Sequence, residues 1–222
     1  MTETLTRTSS TWELIRIPAL LTLVVTVLRL MGELLHWSPF WFNPQPGGGA
    51  ALIGIVWLAP IFGIYFALKL RGLGETPQVG RTIGFAGLGL LIIVGGSLLV
   101  SLVFHMGTPT FVILFQLIAA IGGFVQLYGW PSLSRLLLAY GFAARLPVVV
   151  VMFYAIRGNW GTHYEGPPPG FPEMSWFAKF VIIGVLPQLL SWVTFTMITG
   201  ALAGAIAIAI ARKRKPALQP TS

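Results

Sequence analysis

An all-α, polytopic bundle of membrane-spanning helices is the fold class this sequence predicts, and three observations predict it. Only 9% of the 222 residues are charged while 55% are hydrophobic, and the mean hydropathy is +0.83. A water-facing domain usually carries about 25% charged residues, so this chain has too little charge to cover a soluble surface. Six apolar runs approach or exceed the roughly 20 residues needed to cross a hydrocarbon core of about 30 Å. The basic residues gather on alternate connections between those runs, as the orientation of membrane helices demands.

The first run, Ile17–His36, follows a weakly basic leader, residues 1–16, with Arg7 and Arg16. It is long, it carries Arg29 and Glu33, and no small-residue cleavage site follows, so it reads as a retained span rather than a signal peptide. The second, Ala50–Leu70, comes after an uncharged aromatic loop from Trp37 to Gly49 and contains Pro60. The third, Thr82–His105, is rich in glycine, and the fourth is Thr110–Tyr128. The fifth, Ser134–Ile156, holds Arg145 and Pro147. The sixth, Lys179–Ala211, exceeds the bilayer thickness and reads as one tilted helix with a kink at Pro187, preceded by an interfacial stretch at 174–180. Residues 17–211 are thus one transmembrane domain, and 212–222 a basic tail.

Arg7, Arg16, Lys69, Arg71, Arg81, Arg135, Arg212, Lys213, Arg214 and Lys215 all fall on one side of this map, against Arg157 and Lys179 on the other. That places both termini in the cytoplasm and the protein in the cell inner membrane. Trp12 and Trp130 mark the cytoplasmic boundary, and Trp37, Trp41, Trp160 and Trp176 the outer one, while Trp57 and Trp192 are expected to pack between helices. Small residues at Thr196, Gly200 and Gly204, and at Gly84, Gly87, Gly95 and Gly96, predict surfaces for close helix packing. The net charge of +8 follows from orientation, so no nucleic-acid partner is expected. The partners expected are membrane lipids, a small anionic or lipid-like ligand, and further copies or subunits of a membrane complex.

Composition excludes much chemistry. There is no cysteine and no aspartate; the acids are Glu3, Glu13, Glu33, Glu75, Glu165 and Glu173. Thiol nucleophiles, thiolate metal sites and aspartyl dyads are therefore out of reach. No nucleophile or zinc-helix motif occurs, no catalytic residue is assigned, and no cofactor is called for. Scattered His36, His105 and His163 on the outer side could ligate a metal only if they converged, and their spacing matches no motif. Gly47 to Gly49 could bind an anion at a helix start or simply form a turn.

The informative polar residues lie inside the spans. An arginine at the bilayer centre costs about 3 kcal/mol on insertion scales, so Arg29 and Arg145 each need a partner or a water-filled cavity. Glu33 is four residues from Arg29 on the same helix face and can serve either arginine; Gln116 and Gln188 are near in the map. Arg29, Glu33, Arg145, Gln116 and Gln188 are the candidate ligand-binding residues. The expected function is a transporter- or channel-like protein holding an anionic, zwitterionic or lipid-like ligand at this site. The alternatives are a non-catalytic accessory or scaffold subunit of a membrane complex, and a lipid-modifying membrane enzyme. A cavity reaching Arg145 favours the first; a closed, dry bundle favours the scaffold.

Overall fold

The computed structural model describes residues 10–46, 52–167 and 171–213. The leader before Ser10, the Gly47–Gly49 run, part of the Pro-rich loop and the tail after 213 lie outside the described residues. Among the described residues the chain is helical, with no strand. Helix α1 spans Thr11–Leu34, α2 Leu58–Gly72, α3 Val79–Ser101, α4 Pro109–Val125 and α5 Pro131–Gly158. A short helix α6, Trp176–Lys179, runs through π-helical turns at Phe180–Val185 and Pro187–Ser191 into α7, Trp192–Lys213. Among the described residues five helical stretches are long and apolar enough to cross a membrane: Thr11–Leu34, Val79–Ser101, Pro109–Tyr128, Pro131–Gly158 and Trp176–Arg212.

Most ends lie within a few residues of the sequence reading, and where they differ the cause is local. Helix α1 starts six residues earlier than expected because Ser10 and Glu13 form a reciprocal cap: Glu13 N–H donates to Ser10 Oγ at 3.2 Å and Ser10 N–H to Glu13 Oε2 at 3.0 Å. Such a box satisfies two of the orphan donors at a helix start. Helix α4 is opened by Thr108, whose Oγ1 accepts from Phe111 N–H at 3.3 Å. The long last helix is continuous, with the expected irregularity placed on both sides of Pro187 as wide π turns.

The second run departs most. A single helix over Ala50–Leu70 was expected, but 52–57 is irregular and α2 has 15 residues, about 22 Å at 1.5 Å per residue, short of a full crossing. Pro60 supplies the reason. A helix continued upstream would drive its ring against the carbonyl four residues earlier, whereas in the first turn a missing N–H costs nothing.

The helices alternate in direction. Thr22 on α1 bonds Tyr140 on α5 through their hydroxyls at 2.8 Å, and Glu33 further along meets the loop that follows α5, so these two run parallel. Gly63 and Ala67 of α2 face Gly200 and Gly204 of α7, again in parallel; Gly141 and Leu137 of α5 face Val193 and Gly200, in opposite directions. Gly89 and Gly96 of α3 face Gly122 and Ile118 of α4, also antiparallel. One end of the bundle collects the start of α1, the α2–α3 and α4–α5 turns and the end of α7. There, Trp130 Nε1 donates to Glu75 Oε2 at 2.9 Å and Arg212 Nη2 to the Pro77 carbonyl at 2.8 Å. The main core lies nearest that end, around Ile15, Phe66, Leu133, Leu137, Tyr140 and Met197.

Three expectations need correction here. Trp130 is buried at 2% exposure, bonded to Glu75 rather than sitting in an interfacial belt. Trp57 is 62% exposed and does not pack between helices. Of the α3 glycines only Gly96, and the additional Gly89, meet another helix; Gly84, Gly87 and Gly95 have open space before them, because α3 turns that face away from α4.

The α2–α7 contact is made backbone to backbone, since any Cβ at Gly63 would overlap the Gly200 main chain. Gly63→Val should therefore force the pair apart and cost about 1–3 kcal/mol, read as a lower melting temperature in detergent. Gly84→Ala, with nothing near it, should be neutral or stabilising by up to about 1 kcal/mol. Equal melting temperatures for the two variants would contradict this packing.

Candidate functional site

Arg29 lies on about the sixth turn of α1, facing the break before α2. The loop after α1 folds back so that the Phe42 ring occupies the space left by Gly32, which brings Asn43 beside Arg29. The guanidinium then distributes its donors: Nε to Glu33 Oε1 at 2.9 Å, Nη1 to the Ile53 carbonyl at 3.0 Å and Nη2 to the Asn43 carbonyl at 3.4 Å. Two of these acceptors are backbone carbonyls of non-helical chain, which would otherwise lack partners. Gly54 allows the approach: a Cβ there would sit 2.9 Å from Arg29 Nη1.

Glu33, 2% exposed, binds a second group. The His163 N–H donates to Oε2 at 3.0 Å, and His163 Nδ1 lies 2.6 Å from Oε1 and 2.8 Å from Oε2. Burial pushes the His163 pKa below its ordinary value; the hydrogen bond to Glu33 opposes this and the Arg29 charge reinforces it. The ring is thus held neutral near pH 7, with its proton on Nδ1 donated to the carboxylate. Its neighbour Tyr164, 4% exposed, is held as a neutral phenol, its pKa raised by burial first and by the Glu33 charge next.

Arg145 is 5% exposed and stands apart from this pair. Its Nη1 donates to Gln188 Oε1 at 3.3 Å, and its guanidinium carbon lies 4.6 Å from the centroid of the Trp192 ring. Its Nε has no hydrogen-bond partner, and no carboxylate pairs with Arg145 among the described residues. Gln188 and Trp192 are four apart on the last helix and so share a face toward α5.

A cavity of about 550 Å³ connects these groups. Arg29, Arg145, Gln116 and Gln188 all line it, together with His163, Tyr164 and Trp192. Gln116 is 4% exposed and accepts from Ser191 Oγ, tying α4 to the second π turn. Thus four of the five candidate residues share one cavity, while Glu33 lies behind it, absorbed by Arg29 and His163.

The histidines part company. His163 is committed to Glu33, whereas His36 and His105 are exposed at the ends of α1 and in the α3–α4 loop, and among the described residues no group of three His or Glu side chains could hold a metal ion. Sequence reasoning missed the His163–Glu33 contact, Tyr164 and the Trp192 stack. Only the last had a signal, the four-residue spacing of Gln188 and Trp192. No protein-family model matches the chain, and no curated protein or solved structure is significantly similar to it.

The Arg29–Glu33–His163 cluster predicts a large effect of neutralising its acid. Glu33→Gln keeps the size but leaves Arg29 without its counter-charge, and removing one partner of a buried pair typically costs about 3–5 kcal/mol. The melting temperature in detergent should drop clearly; a variant as stable as the parent would mean that Glu33 does not hold this cluster.

Proposed function

We propose that this is a membrane protein that binds a small anionic or zwitterionic ligand, lipid-like ones included, at Arg145, in the manner of a transporter or channel. One observation carries the reading: a cavity reaches a buried arginine whose donors are not all bonded and which has no carboxylate partner among the described residues. Leaving a cation so placed is costly in a bilayer and in a low-dielectric interior, and an anionic ligand offsets that cost. The cavity, about 550 Å³, lies within the roughly 300–1,000 Å³ typical of small-molecule sites. The scaffold alternative draws on a different feature, the unfilled surface at Gly84, Gly87 and Gly95, which suits contact with another helix.

In this reading α2 and the irregular 52–57 segment together make a sixth crossing, and both termini are cytoplasmic. Support comes from the ten-to-two division of basic residues and from the gathering of Ser10, Glu75, Trp130 and Arg212 toward one end. The chain has no native cysteine, so single-cysteine labelling is clean. A cysteine at exposed Glu173 should react with an impermeant maleimide on intact cells, and one at Leu73 only after permeabilisation; the reverse pattern inverts the assignment.

Arginine grips a carboxylate or phosphate with two parallel hydrogen bonds, which lysine cannot do. Arg145→Lys should therefore fold with little change in melting temperature and lose about tenfold or more in ligand retention, given about 1.5–3 kcal/mol per charged hydrogen bond. The measurement is mass spectrometry of the molecules that co-purify with parent and variant, side by side. Identical profiles at equal stability would take Arg145 out of the site and favour the scaffold.

A further inference from the structure

Resting on that binding reading, we infer that the ligand is an amphiphile with a single negative charge, which enters sideways from the bilayer, sets its headgroup against Arg145 and leaves its hydrocarbon beside Trp57.

The charge count comes first. Among the described residues the ionisable side chains lining the cavity are Arg29, Arg145, His163 and Tyr164. Arg29 is matched by Glu33 at 2.9 Å, and the neutral His163 ring donates a hydrogen bond from its Nδ1–H to the same carboxylate while keeping the proton. One positive charge is left over, on Arg145. Buried charge is tolerated when it is neutralised locally, so one negative charge fills the site and two would overfill it.

The shape of the free donor edge comes second. Trp192 covers one face of the Arg145 guanidinium and Gln188 takes Nη1, while Nε has no partner. Nε is also sealed from the cavity, so a ligand must approach in the guanidinium plane end on, at the Nη groups. Two oxygens on one carbon or phosphorus suit that end, as in a carboxylate or a phosphodiester.

The way in comes third. The cavity wall includes Leu52 and Trp57, which are 45% and 62% exposed. Helix α2 begins at Leu58, about 22 Å from its other end at 1.5 Å per residue, so this edge lies at the depth of hydrocarbon, some 8 Å short of the far boundary of a core of about 30 Å. An opening there faces lipid tails. The cavity walls nearest α1, α4 and the π turns are Val25, Val112 and Ile182, which offer a hydrocarbon chain contact but a hydrated ion nothing.

The experiment uses the full chain in a neutral maltoside detergent, delipidated, and reads both melting temperature and bound mass by native mass spectrometry. The probes are phosphatidylglycerol, oleate, phosphatidylcholine, butyrate and inorganic phosphate. Phosphatidylglycerol and oleate should bind, raise the melting temperature and displace each other; whichever displaces more strongly names the source as lipid phosphodiester or free carboxylate. Phosphatidylcholine, butyrate and phosphate should do little. Arg145→Gln should weaken retention of both amphiphiles by about tenfold or more, the loss of one charge-assisted contact. Val112→Phe, which keeps the arginine and narrows the apolar wall, should weaken them too. If Arg145→Gln does not fold, the contrast between phosphatidylglycerol and phosphatidylcholine on the parent decides. Butyrate or phosphate binding as well as the amphiphiles, in an Arg145-dependent way, would overturn the amphiphile inference and leave the binding reading standing. Equal binding of phosphatidylcholine would overturn the single-charge argument. Arg145-independent behaviour of every probe would overturn both readings.

Discussion

A buried chain that abandons helical geometry leaves carbonyls that need partners, and the organisation of this protein depends on how Arg29 answers that demand. Its three donor positions go to Glu33, to Ile53 and to Asn43, so one side chain ties α1 to the loop behind it and to the irregular segment before α2. Without such a clamp the break imposed by Pro60 would leave its backbone groups bare. With it, 52–57 becomes a wall of a cavity instead of a defect. Glu33 extends the clamp to the loop after α5 through His163, so the roof of the cavity and its side wall hang on the same carboxylate.

The two arginines show how burial can be solved in opposite ways. Arg29 is saturated by groups from its own helix and from nearby chain. Arg145 receives an amide oxygen at 3.3 Å and an aromatic face at 4.6 Å, both polarisable partners and neither of them charged. A cation–π contact is worth about 2 kcal/mol or more when desolvated, which makes the position tolerable without neutralising it. The wide π turns around Pro187 contribute by aiming Gln188 and Trp192 at α5 together. π-helical turns of this kind are frequent where a helix carries function rather than only packing.

Much of the scaffold was legible because apolar length and charge placement are global signals. Apart from the early, capped start of α1, the five long helices lie within a few residues of where the hydropathy puts them, and the pairing of Arg29 with Glu33 follows from a four-residue spacing. What was not legible depended on which competing effect wins locally. Pro18, Pro60 and Pro147 look alike in sequence, yet Pro18 and Pro147 sit inside unbroken helices, whereas Pro60 lies in the first turn of one that starts late. The difference lies in what meets the freed backbone, and for the segment before Pro60 that is Arg29, from another helix. His163 was equally hidden: it is 130 residues from Glu33, and nothing in the spacing of histidines and acids announces a contact at that separation. The glycines of α3 misled for the same reason, since small size says that a close approach is allowed and not that one occurs.

The order in which a ribosome delivers these residues gives the Arg29–Glu33 pair a further significance. Helix α1 must enter the membrane long before α5 and its following loop exist, so nothing distant can shelter its arginine at that moment. A glutamate one turn along lets the helix arrive already neutralised, at a much lower insertion penalty than a lone arginine would face. His163 reaches Glu33 only later, and Arg145 waits longer still, for the last helix to bring Gln188 and Trp192. In chain order the partners of Arg145 come last, so the final helix completes the site as it completes the fold.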